Sequence, residues 1–163
     1  MAAWKRLNRI VPQDEEIIYE GSFSVEGGNF ENAGQVSSQV KAILRKFNVP
    51  KETIRRAALV TYESEINIVS YATQGEIKLV VKPEEVVVEA RDEGPGIEDI
   101  ELAMQAGYST ANEKIREMGF GAGMGLCNID TYSDIFEITS EVGKGTYLRM
   151  VVKIDQAGKN EAK

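Results

Sequence analysis

Hydrophobic and polar positions alternate along this chain with two different spacings. Residues 17–25 change character at every second place, the period of a half-buried strand, and the pattern stops at Gly27-Gly28. From Ala33 the spacing lengthens: Ala33, Val36, Val40, Ile43, Leu44 and Phe47 fall at the steps of an amphipathic helix. Asn48 and Pro50 break it, and Pro50 suits the start of a second helix over 51–72, with Ile54, Ala58, Tyr62, Ile66 and Val69 on one face. Strands are expected at 76–81 and 85–91 around the polar turn Lys82-Pro83-Glu84, then a short helix near 98–105. Residues 106–123 lack periodicity and mix glycines with polar residues. A loop above ~12–15 residues inside a compact domain usually has a function, such as that of a lid. A helix over 124–133 and two strands, 135–140 and 146–154, joined at Gly143-Lys144-Gly145, complete the pattern.

The order strand, helix, helix, strand, strand, helix, lid, helix, strand, strand, with short turns between neighbouring strands, implies antiparallel pairing. It predicts an α+β fold: a two-layer sandwich with a mixed, mostly antiparallel sheet and the helices on one face. Residues 14–155 are expected to form this domain, with loose ends at 1–13 and 156–163.

Composition narrows the chemistry. The chain has 163 residues, enough for one domain with a sizeable core, and a formal net charge of −7. An acidic balance disfavours nucleic acid as a direct partner. No run nears the ~20 apolar residues that span a bilayer, and the basic N-terminus has no apolar stretch behind it, so neither a membrane segment nor a secretory signal is expected. A single cysteine, Cys127, precludes an internal disulfide framework and fits a reducing cytosol. The chain has no histidine, which removes Ser-His triads, His-metal sites and a phosphoaccepting His, leaving carboxylates or lysines as general bases.

Four groups of residues then carry candidate chemistry. Asp92 continues the stripe Val86, Val88, Ala90 and so points toward the helix layer, where a buried carboxylate needs a donor. Gly94-Pro95-Gly96 follows it, a turn that lets backbone approach a ligand; the exocyclic amine of adenine would satisfy Asp92, as would a local turn-capping bond. Thr146 opens the stripe Thr146, Leu148, Met150, Val152, Ile154, where a hydroxyl reaches a base edge or a water, or simply serves the strand. The run Gly119-Phe120-Gly121-Ala122-Gly123-Met124-Gly125-Leu126 enters a helix, and free N–H groups there suit a phosphate. It matches neither a Walker A loop nor G-x-G-x-x-G, and the plainer alternative is a flexible linker. Glu63 and Asn67, four apart on the second helix, stack on one face and suit a base and a Mg²⁺ ligand beside a triphosphate, or a solvated flank. Glu65 falls on another face and is expected at the surface.

Taken in order, these residues resemble the boxes of the ATPase superfamily of gyrase, Hsp90, mismatch-repair proteins and histidine kinases: Glu63-x-x-x-Asn67, Asp92-x-Gly94-x-Gly96, the 119–126 run and Gly145-Thr146. The resemblance spans roughly residues 30–154. Gly107-Tyr-Ser-Thr110, a short lid and Asn128-Ile129 look like the branch of anti-sigma serine/threonine kinases. That resemblance implies the Bergerat ATP-binding fold. It implies ATP and Mg²⁺ as cofactors, with Asp92 on the adenine amine, Asn67 on the metal and Glu63 as general base. Gly94, Gly96, Ile97, Thr110, Gly119, Gly121, Ala122, Gly123, Met124, Gly125, Leu126 and Thr146 would surround the nucleotide. Lys114 and Arg116 both remain open as the γ-phosphate contact. The implied activity is phosphorylation of a small STAS-type antagonist on Ser or Thr in a cytoplasmic partner-switching circuit, with a sigma factor or other regulator as partner and homodimers in some members. A non-catalytic, nucleotide-dependent binding switch uses the same pocket.

Overall fold

The computed structural model describes residues 16–155; the expected loose ends, 1–13 and 156–163, lie outside the described residues. Strand β1 (Tyr19–Glu26) leads through a single 3-10 turn, Phe30–Asn32, into α1 (Gln35–Lys46) and α2 (Lys51–Tyr71). Strands β2 (Gln74–Val81) and β3 (Glu85–Glu93) follow, then α3 (Ile100–Ala103), α4 (Glu113–Glu117), α5 (Gly125–Tyr132), β4 (Ile135–Glu141) and β5 (Gly145–Lys153). The sheet order is β1-β2-β3-β5-β4, and all four pairings are antiparallel.

Local chemistry explains the boundaries. α1 ends because Asn48 adopts a left-handed φ of 56° while Val49 N–H returns to the Leu44 carbonyl. Pro50 then caps α2, whose first N–H groups need no helical partner. α3 and α4 are started by Asp99 and Asn112, whose side chains accept from Leu102 N and Ile115 N at 3.0 and 2.9 Å. The segment read as a structureless lid therefore contains a capped turn of helix, held inward by buried Ile115.

The core lies between the sheet and the helices. Val36, Val40 and Leu44 of α1, Ile54, Ala57, Val60, Ile68 and Val69 of α2 and Ile129 of α5 pack on Ile77, Leu79, Val81, Val86, Val88, Ala90, Leu148 and Met150. α2 is buried almost all round because it touches α1, α5 and four strands. This corrects the surface placement of Glu65. It is 2% exposed, and its two carboxylate oxygens accept Val36 N–H and Ser37 N–H at 3.2 Å each. α1 begins at Gly34, which has no side chain to cap it, so a carboxylate from the neighbouring helix closes its N-terminus.

Candidate functional site

The strand-end cluster forms where β3 leaves the sheet. Asp92 is half-buried, and its Oδ1 accepts the Thr146 N–H at 3.1 Å from β5. Burial raises its carboxyl above the ordinary value of 3.8, and the N–H donors of Thr146 and Gly94 only partly offset this. Gly145 is required here: a Cβ on it would fall 2.0 Å from the Asp92 carbonyl oxygen, and its φ is 147°. Thr146 Oγ1 lies 2.8 Å from Ser140 Oγ, which accepts the Ile97 N–H at 2.8 Å and donates to the Gly145 carbonyl at 3.0 Å. Gly143 N–H donates to the Pro95 carbonyl at 2.8 Å. One network thus locks the Asp92-Glu-Gly94-Pro-Gly96-Ile97 turn to the β4–β5 hairpin.

Ser140 is a member that sequence reasoning did not single out. The signal was present in the hairpin register, since Ser140 sits directly opposite Thr146 across the Gly143-Lys144-Gly145 turn. A serine in an otherwise ordinary strand gives no reason to look there until the partner is known.

The second cluster joins α2 to α5. Glu63 and Asn67 are half-buried on one face of α2, and the N-terminal turn of α5 comes down on them. A Cβ on Gly125 would lie 3.2 Å from Glu63 Oε2 and 3.4 Å from Asn67 Oδ1, so glycine admits this approach with almost no room to spare. Asn128, one turn on, donates to Glu63 Oε1 at 3.3 Å. Leu126 packs against the core and Met124 precedes the helix, 40% exposed. A half-buried carboxylate and amide therefore face a helix N-terminus, whose free N–H groups favour an anion.

Between the clusters lies the lid. Gly107 N–H donates to the Gly123 carbonyl at 3.0 Å, closing its base. Gly121 packs on Ala111, and Phe120 stacks on Phe30 with ring centroids 5.5 Å apart. Thr110, Gly119 and Ala122 are exposed, as are Lys114 and Arg116. Among the described residues no hydrogen bond joins these five to Asp92, Glu63 or Asn67, so the lid candidates are not drawn to the two clusters as directly as the glycines are. The two cavities described, one of about 430 Å³ beside β1, α1 and Glu65 and one at the N-terminus of α1, include neither Asp92 nor Glu63 nor a lid residue.

The half-buried Asn67 amide and Glu63 carboxylate are hard oxygen donors of the kind Mg²⁺ takes together with phosphates and waters; among the described residues no group of three or more acidic, His or Cys side chains could hold a metal. No described helix is long and apolar enough to cross a membrane.

Comparison with known proteins supplies the family. The model of the histidine kinase-like ATPase domain matches residues 29–152. An anti-sigma F factor of Thermoanaerobacter sp. (strain X514) is 34% identical over 118 residues, covering 72% of this chain and 75% of that protein. The serine/threonine-protein kinase RsbT of Bacillus subtilis (strain 168) is 32% identical over 114 residues, 64% of this chain and 80% of RsbT. Among solved structures, a chain of the SiaB–SiaC complex from Pseudomonas aeruginosa superposes with a TM-score of 0.57 at 15% identity, covering 85% of this chain and 90% of that one, a likeness of fold.

Proposed function

Because the chain belongs to the histidine kinase-like ATPase domain family, and within it to the anti-sigma serine/threonine kinase branch, we propose that it binds Mg-ATP and phosphorylates a Ser or Thr of a small STAS-type antagonist protein in a cytoplasmic partner-switching circuit. The regulated partner is a sigma factor or another regulator that binds the same domain.

The observation that carries this reading is the pairing of Glu63 and Asn67 with the N-terminal turn of α5, at a site whose other end is the half-buried Asp92. Asp92 accepts a hydrogen bond from the adenine amine. Thr146 and Ser140 hold that carboxylate and the Ile97 turn in place, so the base meets a rigid edge. Gly94, Gly96 and Ile97 form one wall; the run Gly119, Gly121, Ala122, Gly123, Met124, Gly125 and Leu126, with Thr110 from the lid, surrounds the phosphates, the glycines letting the backbone come close. Asn67 offers its amide oxygen to the metal. Bound Mg-ATP supplies the phosphoryl group and, through the metal, neutralises charge on it. Glu63 orients the attacking hydroxyl and takes its proton as the new P–O bond forms and the bond to ADP breaks. Most of the catalytic effect is positioning and charge neutralisation.

A second reading rests on the Asn128 bond to Glu63, which occupies one oxygen of the would-be base. In that reading the nucleotide orders the lid and shapes a binding surface without phosphotransfer.

Calorimetric titration with ATP, with and without Mg²⁺, tests the pocket: binding strengthened by Mg²⁺ and lost in Asp92→Asn is expected. A phosphate-affinity gel of pooled STAS-domain proteins from the same proteome then separates the two readings. Under the kinase reading Glu63→Ala abolishes phosphotransfer while ATP and partner binding persist. ATP binding with no phosphorylated acceptor leaves the switch, and no ATP binding by the folded protein sinks both.

A further inference from the structure

Over its second half α2 is closed in on every side but one. Leu59, Tyr62, Glu63, Asn67 and Ser70 are half-buried there, whereas Val60, Thr61, Ser64, Glu65, Ile66, Ile68 and Val69 are buried. Glu63, Asn67 and Ser70 follow one another at steps of four and three residues, so they stand one above the next on a single face. Ser70 differs from the other hydroxyls of its helix. Thr61 and Ser64 donate to the carbonyls of Ala57 and Val60, four residues back, at 2.7 Å each. Ser70 Oγ makes no such bond to Ile66 or to any other group. Among the described residues it is the only buried side-chain polar atom without a hydrogen-bond partner. An unpaired buried hydroxyl costs free energy that a helix serine can relieve on its own turn. One held free on the face of Glu63 and Asn67 is kept for a partner that arrives from outside the chain.

The position of Ser70 along the helix selects the partner. At 1.5 Å per residue, Ser70 lies ~4.5 Å beyond Asn67 and ~10.5 Å beyond Glu63, toward the C-terminal end of α2. That end meets the turn that follows Asp92: a Cβ on Gly94 would lie 3.3 Å from Ala72 Cα and 3.0 Å from Asp92 Oδ1. Along α2, Ser70 therefore falls between Asn67 and the Asp92 turn. We propose, resting on the Mg-ATP reading above, that the Ser70 hydroxyl donates to an oxygen of the ribose–α-phosphate segment of the nucleotide. With adenine on Asp92 and the metal-bound phosphates at Asn67, that segment bridges the two. Its oxygens are acceptors, and the α-phosphate is also charged, so a lone hydroxyl donor matches it. The side chains assigned above hold the two ends of the nucleotide; Ser70 supplies a contact to the middle. Serine has a single χ1 rotation with which to aim its hydroxyl, so little needs to be reordered.

Calorimetric titration in the presence of Mg²⁺, comparing the unmodified chain with Ser70→Ala, tests the assignment. The variant is expected to bind ATP and ADP about ten-fold more weakly, and equally so, as the loss of one hydrogen bond implies. Its nucleotide-free thermal midpoint is expected to stay level or rise, because the hydroxyl removed had no partner. Weaker binding by a fold no less stable is a pattern that a structural role does not produce. 2′-deoxy-ATP and 3′-deoxy-ATP locate the bond. A penalty that vanishes with either assigns it to the ribose, and a penalty kept with both assigns it to the α-phosphate. Unchanged affinity for ATP and ADP overturns the inference, as does a penalty confined to ATP, which places Ser70 at the γ-phosphate. A nucleotide-free midpoint lowered by several degrees also overturns it, in favour of a structural hydroxyl. An unmodified chain that binds no ATP sinks the Mg-ATP reading and this inference together; binding that Ser70→Ala leaves intact sinks this inference alone.

Discussion

With its carboxylate withdrawn from water and both oxygens taken by backbone donors of α1, Glu65 acts as a cap supplied by another helix. Glu65→Ala leaves two buried N–H groups without acceptors and is expected to cost ~2–3 kcal/mol, read as a lower urea midpoint; Glu65→Gln keeps an acceptor and loses less. Asp92 is expected to behave in the opposite sense. Burial sets its folded value above the ordinary 3.8, so its favourable contribution is complete below that value and is lost as pH rises through the raised one. At a pH above both values the charged carboxylate burdens the unliganded fold. Asp92→Asn is expected to raise the thermal midpoint of the nucleotide-free protein at neutral pH, with the gain shrinking on acidification toward 3.8, and to lose ATP binding throughout. Asp92, Glu63 and Asn67 were legible in the sequence because each breaks or flanks an apolar stripe. Glu65 and Ser140 were not, since the role of each depends on an element distant in the chain: α1 for Glu65, the β5 partner Thr146 for Ser140.

At the scale of elements, the strongly periodic segments appear where the pattern puts them, to within a few residues. α4 escaped because five residues with one buried side chain carry no period; its only local sign is Asn112, three residues before Ile115. α2 also holds more buried faces than one stripe suggests, because it is the central helix of the layer. The lid is tied to the body by the Phe30–Phe120 stack, between the 3-10 turn and the glycine run. An aromatic pair contributes ~0.5–1.5 kcal/mol beyond its buried area. Phe120→Ala is expected to speed hydrogen exchange across residues 107–121 and to hasten nucleotide release, while the sheet amides exchange as before.

For the whole molecule, the two-layer architecture followed from the order of elements, but the strand order did not. Neighbours in sequence pair as expected at β2–β3 and β4–β5. The contact of β3 with β5 joins residues on either side of the entire lid, and no local pattern announces it. Arg91 standing opposite Tyr147 closes a large loop, and the lid is the slack within it. Loop-closure entropy grows with the logarithm of length, so even doubling such a loop costs only ~0.6 kcal/mol. Residues inserted after Gly119, where nothing lies within 4 Å of a Cβ, are therefore expected to leave the denaturation midpoint of the sheet nearly unmoved. Lid length is set by what the lid must reach, with chain stability exerting almost no restraint on it.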